Sequence, residues 1–288
     1  MPTFPAPHPV LVSVDVPFAH VHVVASERDD VVVTVLPTDA SRSGSVRAAE
    51  EVRVDRTADA IAITYPGSWR QWVLPFAAGT VDVTVELPRA SQVRGKAGTL
   101  YAEGPLAAVD MALSAGDVRV DDAGRLAVKV SAGSVVAGRV DDVDVSVAAG
   151  SVRLGEVTGH GRVRATNGTV AVSAVTGTLD VHGAHGDLVV DHVSGTLSAR
   201  SAHSGMRVGA LVSGSVDLTT SFGSIEVGVP QGTAAYLDLS SQRGAVRNQL
   251  TPTEGPVEDE STAEIHASTG FGDVVVRRPL AGAGDTAA

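Results

Sequence analysis

The chain contains no cysteine among its 288 residues. This absence excludes a disulfide scaffold, a thiolate metal site and a cysteine nucleophile. Basic residues are also in deficit, because 22 Lys and Arg stand against 33 Asp and Glu, for a formal charge of -11. A protein that binds nucleic acid needs a basic face to attract phosphates. The charge balance therefore argues against nucleic-acid binding.

Long apolar runs are missing as well. The uninterrupted apolar stretches are a few residues long, whereas a helix that spans a bilayer needs about 20 such residues. The segment Met1–Pro17 has neither a basic start nor an apolar centre, and prolines interrupt it. These features predict no secretory signal and no transmembrane segment, and hence a cytoplasmic protein.

Leucine, isoleucine, lysine and asparagine are scarce, and valine and glycine dominate. The chain has 50 Val and 31 Gly, against 18 Leu, 4 Ile, 2 Lys and 2 Asn. Branched side chains fit a pleated surface better than a helix. The composition therefore predicts an all-β protein and argues against a largely helical enzyme.

A glycine recurs about every 18 residues through the middle of the chain. The repeated glycines are Gly98, Gly116, Gly133, Gly150, Gly168, Gly186, Gly205 and Gly223. Apolar and polar residues alternate after most of them, as in Gly116-Asp-Val-Arg-Val, which is the period of a β-strand. Several units divide into halves of about nine residues, each with one short strand and one turn.

One such unit is too small to bury a core, so the units must stack. Stacking places each strand parallel to its counterpart in the next unit. The pattern predicts a right-handed parallel β-helix, or β-solenoid, of about nine ~18-residue coils, because parallel crossovers are right-handed. The residues expected to face inward form three columns: Val118, Val135, Val152, Val170, Leu188 and Ile225; Val120, Ala137, Leu154, Val172, Val190 and Val227; Val128, Val145, Val163, Val181, Ala199 and Leu218.

The regions outside the repeats predict the domain organisation. Residues 1–9 are expected to be a flexible N-terminus, and residues 10–97 an N-terminal β cap without the glycine register. The segments of this cap that alternate as strands are Val10–Val16, His20–Ala25, Asp30–Leu36, Glu51–Arg56, Ala60–Tyr65 and Thr80–Leu87. A cap protects the open end of a solenoid from aggregation. Residues 98–278 are assigned to the repeats, with an acidic insertion at 251–263, and residues 279–288 to a disordered tail.

The run of Gly-(Ser/Thr/Asp)-Val-x-Val units closes with Ser268-Thr-Gly-Phe-Gly-Asp-Val-Val-Val-Arg-Arg278. This pattern resembles the DUF4097 family of adhesin-like β-solenoid proteins, over roughly residues 10–278. The resemblance implies a β-helix, and it supplies no catalytic residues that could be carried over to this chain.

Two functions fit this architecture. The first is a non-enzymatic scaffold or adhesin-like binding module of unknown ligand. The alternative is a carbohydrate-active β-helix enzyme, a lyase or hydrolase, which would need clustered carboxylates. Asp117 and Asp187 each follow a repeat glycine, where other units carry Ser134, Ser151 and Thr169. This is a turn preference, so we expect no catalytic residue and no cofactor.

Two groups of polar residues are candidate binding sites. His185 and His203 precede a repeat glycine in successive coils and are weak candidates for a shared metal, although three or four ligands are normally needed. Arg162, Arg164 and Arg200 are expected to face outward on neighbouring coils. A basic patch of this kind suits an acidic protein partner or an anionic glycan.

Four of the ten aromatic residues fall within one short segment. They are Tyr65, Trp69, Trp72 and Phe76. One hypothesis is that they plug the open end of the solenoid, which we favour. The other is that they form a recognition loop, since Trp and Tyr commonly anchor partners or sugars.

Overall fold

The computed structural model describes residues 2–57, 60–66, 79–251 and 261–279. Trp69, Trp72 and Phe76 lie outside the described residues, as does the predicted tail beyond Pro279. The chain forms two compact units, Met1–Gly150 and Ser151–Ala288. The described residues contain no helix that is long and apolar enough to cross a membrane.

The first unit is built from strands and one short helix. Its elements are β1 (Thr3–Pro5), β2 (Leu11–Ser26), β3 (Asp30–Pro37), α1 (Ser43–Glu51), β4 (Arg53–Thr57), β5 (Ala60–Thr64), β6 (Val81–Pro88), β7 (Gln92–Ala115) and the first part of β8 (Val118–Val157). The strands predicted between residues 10 and 87 are therefore confirmed, and α1 is the one helix of the described chain.

Strand β2 lies inside a parallel stack. On one side it pairs with β7, where Leu11 is opposite Gln92. On the other side it pairs with β5 and β6, where Leu11 is opposite Ala60 and Ala19 is opposite Val81. Two segments that were predicted as separate cap strands thus join into one strand that forms a coil of its own, with a register shift between Val16 and His20.

Antiparallel strands flank this stack. Strand β3 runs antiparallel to β6, and β4 runs antiparallel to β5. Strand β1 pairs with β3, Phe4 being opposite Val31. Thr3–Pro5 therefore form a strand within residues 1–9, the segment predicted as a flexible N-terminus. Antiparallel strands suit the edge of a parallel stack because they break its repeat.

The second unit contains shorter strands. They are β9 (His160–Val175), β10 (Thr178–His185), β11 (Leu188–Val193), β12 (Thr196–His203), β13 (Met206–Leu211), β14 (Gly214–Phe222), β15 (Ile225–Gly228), β16 (Thr233–Arg243), β17 (Val246–Asn248), β18 (Ser261–Phe271) and β19 (Val274–Arg277). Ser261–Ala263, which were assigned to the acidic insertion, therefore belong to a strand.

Parallel pairing at the repeat distance confirms the predicted stacking of the coils. Leu179 of β10 is opposite Gly161 of β9 and Leu197 of β12. In the second series of strands, Leu188 of β11 is opposite Val170 of β9 and Met206 of β13. Each coil therefore contributes one strand to each series.

The last coils do not stack in the order of the sequence. Strand β18 pairs with β14 on one side and with β16 on the other, so that Ile265 lies between Val216 and Leu237. Strand β19 likewise lies between β15 and β17. The glycine pattern of the sequence continues at Gly244 and at Gly272, after longer spacings. In the structure the coil that contains Gly272 lies between the coil that contains Gly223 and the coil that contains Gly244.

All residues of the three predicted inward columns are buried, each with no more than 4% of its surface exposed. Met206 and Val208 occupy the equivalent places in the coil that the prediction left incomplete, and both are buried. Period-2 alternation therefore identified the buried face correctly in both units.

The repeat glycines mark corners where neighbouring coils approach closely. Gly186 has a φ of +123°, and a Cβ there would lie 2.2 Å from the carbonyl oxygen of Gly168. One assignment of the repeat is shifted by a residue. His203 is opposite His185 and Phe222, so Ser204 occupies the corner. Gly205 is equivalent to Asp187, whose carboxylate accepts its backbone N–H at 3.0 Å.

We predict that Gly186→Ala lowers the free energy of unfolding by about 2–4 kcal/mol, because it combines a strained backbone with a clash against the adjacent coil. Gly205→Ala is the matched control, since its Cβ would meet nothing nearer than the Asp187 carboxylate at 3.1 Å, and we expect a loss below about 1 kcal/mol. Urea titrations of both variants measure the difference. Equal losses of unfolding free energy in the two variants would contradict the close approach of neighbouring coils at Gly186.

We also predict that Val172→Asp unfolds the second unit, because an unpaired carboxylate in the core costs several kcal/mol. The neighbouring Ser173 is exposed on the opposite face of the same strand, so Ser173→Asp is the control and should melt almost normally. Circular dichroism melting curves compare the two. Unchanged melting of Val172→Asp would contradict the inward column.

Candidate functional site

The second unit carries a groove of about 730 Å³ on the outward face of its first strand series. Its lining residues are Thr196, Ser213, Gly214, Ser215, Tyr236, Thr262, Ala263, Glu264 and His266. Strands β12, β14 and β18 contribute from their starting ends. Tyr236, on β16, also lines the groove, and 64% of its surface is exposed.

The register of the strands brings the polar residues of the groove together. Ser215, Glu264 and Tyr236 are opposite one another on β14, β18 and β16. Asp217, His266 and Asp238 form the next outward column, two residues further along the same strands. Side chains at positions i and i+2 of a strand share one face. Two adjacent columns therefore place three carboxylates around one imidazole.

Hydrogen bonds tie the imidazole of His266 to two of these carboxylates. Its Nε2 lies 2.9 Å from Glu264 Oε1, and its Nδ1 lies 3.4 Å from Asp238 Oδ2. These contacts raise the pKa of His266 above its ordinary value, the hydrogen bond to Glu264 having the larger effect. The third carboxylate, Asp217, forms an ion pair with Arg200 at 3.3 Å.

The groove combines carboxylates with an aromatic ring. Glu264 and Asp238 together carry two negative charges, and protonated His266 offsets one of them. The exposed phenol ring of Tyr236 lies 6.3 Å from the His266 ring, tilted by 57°. An aromatic face beside carboxylates is suited to an ammonium or guanidinium group, which gains both ion pairing and cation–π attraction.

Shifted carboxyl pKa values elsewhere in the described chain argue for structural roles. The pKa of Asp117 is lowered, chiefly by the hydroxyl of Ser134 and then by its backbone N–H. The pKa values of Asp30 and Asp39 are lowered by hydrogen bonds from Arg28 and Ser41. A general acid of a glycosidase needs a raised pKa, so these three carboxylates are not placed for that role.

The turn aspartates link neighbouring coils. Asp117 Oδ1 accepts the backbone N–H of Ser134 at 2.9 Å and its hydroxyl at 2.6 Å. Asp273 Oδ1 accepts the backbone N–H of Ala245 at 2.9 Å. Asp187 makes the corresponding bond to Gly205. The turn preference noted in the sequence thus has a physical reason, because these carboxylates pair donors that the strands leave free.

The predicted basic patch is mixed with acidic residues. Arg164 and Arg200 lie in one outward column on either side of His182. Arg162 lies in the adjacent column, where its register partner is Asp180. Arg200 is already paired with Asp217. The three arginines therefore share a face, and their role as a binding surface stays a prediction.

The two histidines proposed as metal ligands belong to a stack of rings. The centroids of His185 and His203 are 4.8 Å apart, and the stack continues through Phe222 and Phe271 at 4.8 and 4.7 Å. The guanidinium of Arg243 lies 5.2 Å from the Phe271 centroid. Four rings and one guanidinium thus lie in a single stack.

Stacking is a poor arrangement for a shared metal. Imidazole lone pairs lie in the ring plane, and the planes of His185 and His203 are within 21° of parallel, so the two donors do not converge on one ion. Within the described ranges, no group of three or more His, Cys, Asp or Glu residues is placed to hold a metal.

Tyr65 is the described member of the predicted aromatic segment. Its hydroxyl donates a hydrogen bond to Glu51 Oε2 at 2.9 Å, and its backbone N–H donates one to the backbone carbonyl oxygen of Asp15 at 3.0 Å. Tyr65 thus attaches the end of α1 to the strands. Because Trp69, Trp72 and Phe76 lie outside the described residues, the choice between a cap and a recognition loop stays a prediction.

Sequence reasoning did not identify the residues of the groove. Tyr236 and Asp238 are separated from Glu264 and His266 by more than twenty residues of sequence. The available signal was the period-2 alternation in both segments, which marks their outward positions but not their adjacency. Adjacency depends on the inserted coil, which the repeat spacing does not predict.

The sequence profile of the family Toastrack DUF4097 matches residues 12–277. The match covers most of the chain, so the protein belongs to this family. The resemblance drawn from the repeated glycine units and the closing motif is thereby confirmed. No curated protein matches the sequence significantly.

The solved structures that match this chain include proteins from three bacteria. A putative adhesin from Parabacteroides merdae is 12% identical, with a TM-score of 0.42, over 96% of this chain and 95% of that chain. A putative adhesin from Bacteroides fragilis is 10% identical, with a TM-score of 0.37, over the same shares. A putative cell adhesion protein from Clostridium sporogenes is 10% identical, with a TM-score of 0.23, over 96% and 98%.

We predict that His266 titrates above the ordinary value of 6.5 and that Glu264→Gln moves its pKa back down. A raised pKa means that the imidazolium stabilises the folded state at low pH, and that this contribution is lost as pH rises through the folded pKa. NMR titration of the His266 ring measures the shift. The surface variant Glu50→Gln removes the same charge from α1 and should leave it unchanged. An equal shift in both variants would contradict the contact.

Proposed function

We propose that this protein is a non-enzymatic binding module that holds a partner in the groove of the second unit. The observation that carries the proposal is the combination of an exposed tyrosine with Asp238, Glu264 and His266 on the outward face of two paired strands. Groups held on paired strands need little reorganisation to recognise a ligand.

The ionisable groups of the groove support binding more than catalysis. His266 is engaged by both carboxylates at once, which holds its proton on the ring and its ring in place. A general base must instead offer a free lone pair to the substrate. The two carboxylates that flank the imidazole therefore provide negative charge at fixed positions, which can attract a cationic group of a partner.

The fold suits this role in a specific way. We take the second unit to belong to a right-handed parallel β-helix of about nine coils, residues 98–278, with residues 10–97 as the cap. Right-handed parallel crossovers are strongly preferred in proteins, and the antiparallel strands β3 and β4 are consistent with a cap. Such a scaffold gives a binding face a fixed residue spacing in two directions.

The test uses arrays of glycans and of peptides, screened with the full-length protein. We expect at least one class of ligand to bind the wild type and to be lost by the double variant Tyr236→Ala with Glu264→Gln. Tyr101→Ala with Glu50→Gln is the matched control, because Tyr101 is an exposed tyrosine of the first unit, with 43% of its surface exposed. The control should bind normally.

Two results would contradict the proposal. The first is that every retained ligand binds both double variants as well as the wild type, which would place recognition elsewhere. The second is turnover of an arrayed glycan, detected as new reducing ends or unsaturated products, that depends on the groove residues. Melting curves of both variants confirm that each remains folded.

A further inference from the structure

Strand β16 has a strand partner on one side. Along its whole length, from Thr233 to Arg243, it pairs with β18. In the described part of the chain no strand pairs with its other side. The next strand, β17, likewise pairs with β19 alone. The outer edge of this coil therefore presents backbone N–H and C=O groups that can pair with an added strand.

The inward side chains of this coil are incompletely covered. Leu237 and Leu239 are half-buried, whereas their register partners Ile265 and Ala267 are buried. Val246 of β17 is 45% exposed. Ile265 and Ala267 have a register partner on both sides, whereas Leu237 and Leu239 have one on the β18 side. An added strand with apolar residues at the same spacing would complete the columns.

The outward side of β16 from Ala234 to Gln242 carries one acidic residue, Asp238, and no basic residue, and the exposed Arg243 at the end of the strand stacks on Phe271. Its outward positions are Ala234, Tyr236, Asp238, Ser240 and Gln242. In an antiparallel pair, residues directly opposite each other point to the same face. A second copy paired through β16 would therefore set one of these five residues against Asp238, and none of them is a cation.

We propose that the outer edge of β16 accepts an extended segment of another protein, in which apolar residues alternate with lysine or arginine, as an added β-strand. The inference rests on the proposed binding function and specifies the class of partner. Backbone hydrogen bonds supply affinity in this mode of recognition, and alternate side chains supply specificity. The apolar residues cover Leu237 and Leu239, and the basic residues meet Asp238 beside the ring of Tyr236.

The probe is an acetylated and amidated octapeptide in which Lys and Val alternate, titrated into the full-length protein by calorimetry. Two peptides serve as controls: one with Glu in place of every Lys, and one with the same residues arranged as a Lys block followed by a Val block. We expect saturable one-to-one binding of the alternating basic peptide alone. Hydrogen exchange should then show new protection of amides in β16.

Charge variants of the protein test the outward contacts. Asp238→Asn with Glu264→Gln should weaken binding about fivefold at moderate ionic strength, since exposed ion pairs contribute modestly. Asp121→Asn with Glu50→Gln removes the same charge from exposed residues of the first unit and should bind the peptide as the wild type does.

Several results would overturn the inference. These are the absence of saturable binding, equal binding of the block or acidic peptide, and peptide protection that falls outside β16. Protection of all β16 amides in the free protein would show that a second copy or another segment of this chain occupies the edge; sedimentation velocity separates the two. If the arrays yield a groove-dependent ligand and the Lys-Val peptide does not bind, the inference fails and the proposed function stands. If no array ligand shows groove-dependent binding and the Lys-Val peptide does not bind either, both the inference and the proposed function fail.

Discussion

Backbone pairing between successive coils, in parallel register and about 4.8 Å apart, is the constraint from which the other features of this protein follow. Because each strand is aligned with its counterpart one coil away, a residue is repeated in space wherever it is repeated in sequence. Valines then form buried columns, and the ring stack from His185 to Phe271 arises in the same way at a turn. On the outer surface, residues at the same register position also line up in columns, so the residue type at that position determines the chemistry of the column.

The corners show what this register demands. Coils approach so closely at Gly186 that a Cβ would meet the carbonyl of Gly168 at 2.2 Å. Next to the corner, the carboxylates of Asp117, Asp187 and Asp273 each accept a backbone N–H from the adjacent coil. The glycine permits the approach and the aspartate satisfies a donor there, so the Gly-Asp pairs of the sequence have a structural explanation that does not involve catalysis.

Much of the fold could be predicted from the sequence, because alternation and glycine spacing are local signals with a direct physical cause. The inward columns and the strands of the first ninety residues followed from them. The corner at Ser204 could not be separated from Gly205, since a shift of one residue preserves the apparent spacing. The insertion of β18 between β14 and β16 could not be foreseen either. All three strands alternate alike, and pairing between them is a non-local choice that alternation does not encode.

The groove depends on that choice, since Glu264 and His266 meet Tyr236 and Asp238 only if β18 lies beside β16. Residue-resolved hydrogen exchange of the free protein tests this arrangement most directly. In a parallel sheet, successive residues bond to opposite neighbours, so an interior strand protects all of its amides and an edge strand protects alternate ones. We expect continuous protection along Ala263–Thr269 of β18 and alternating protection along Ala235–Ser241 of β16. The reverse pattern, with β16 continuous and β18 alternating, would mean that the coils stack in sequence order and would contradict the account.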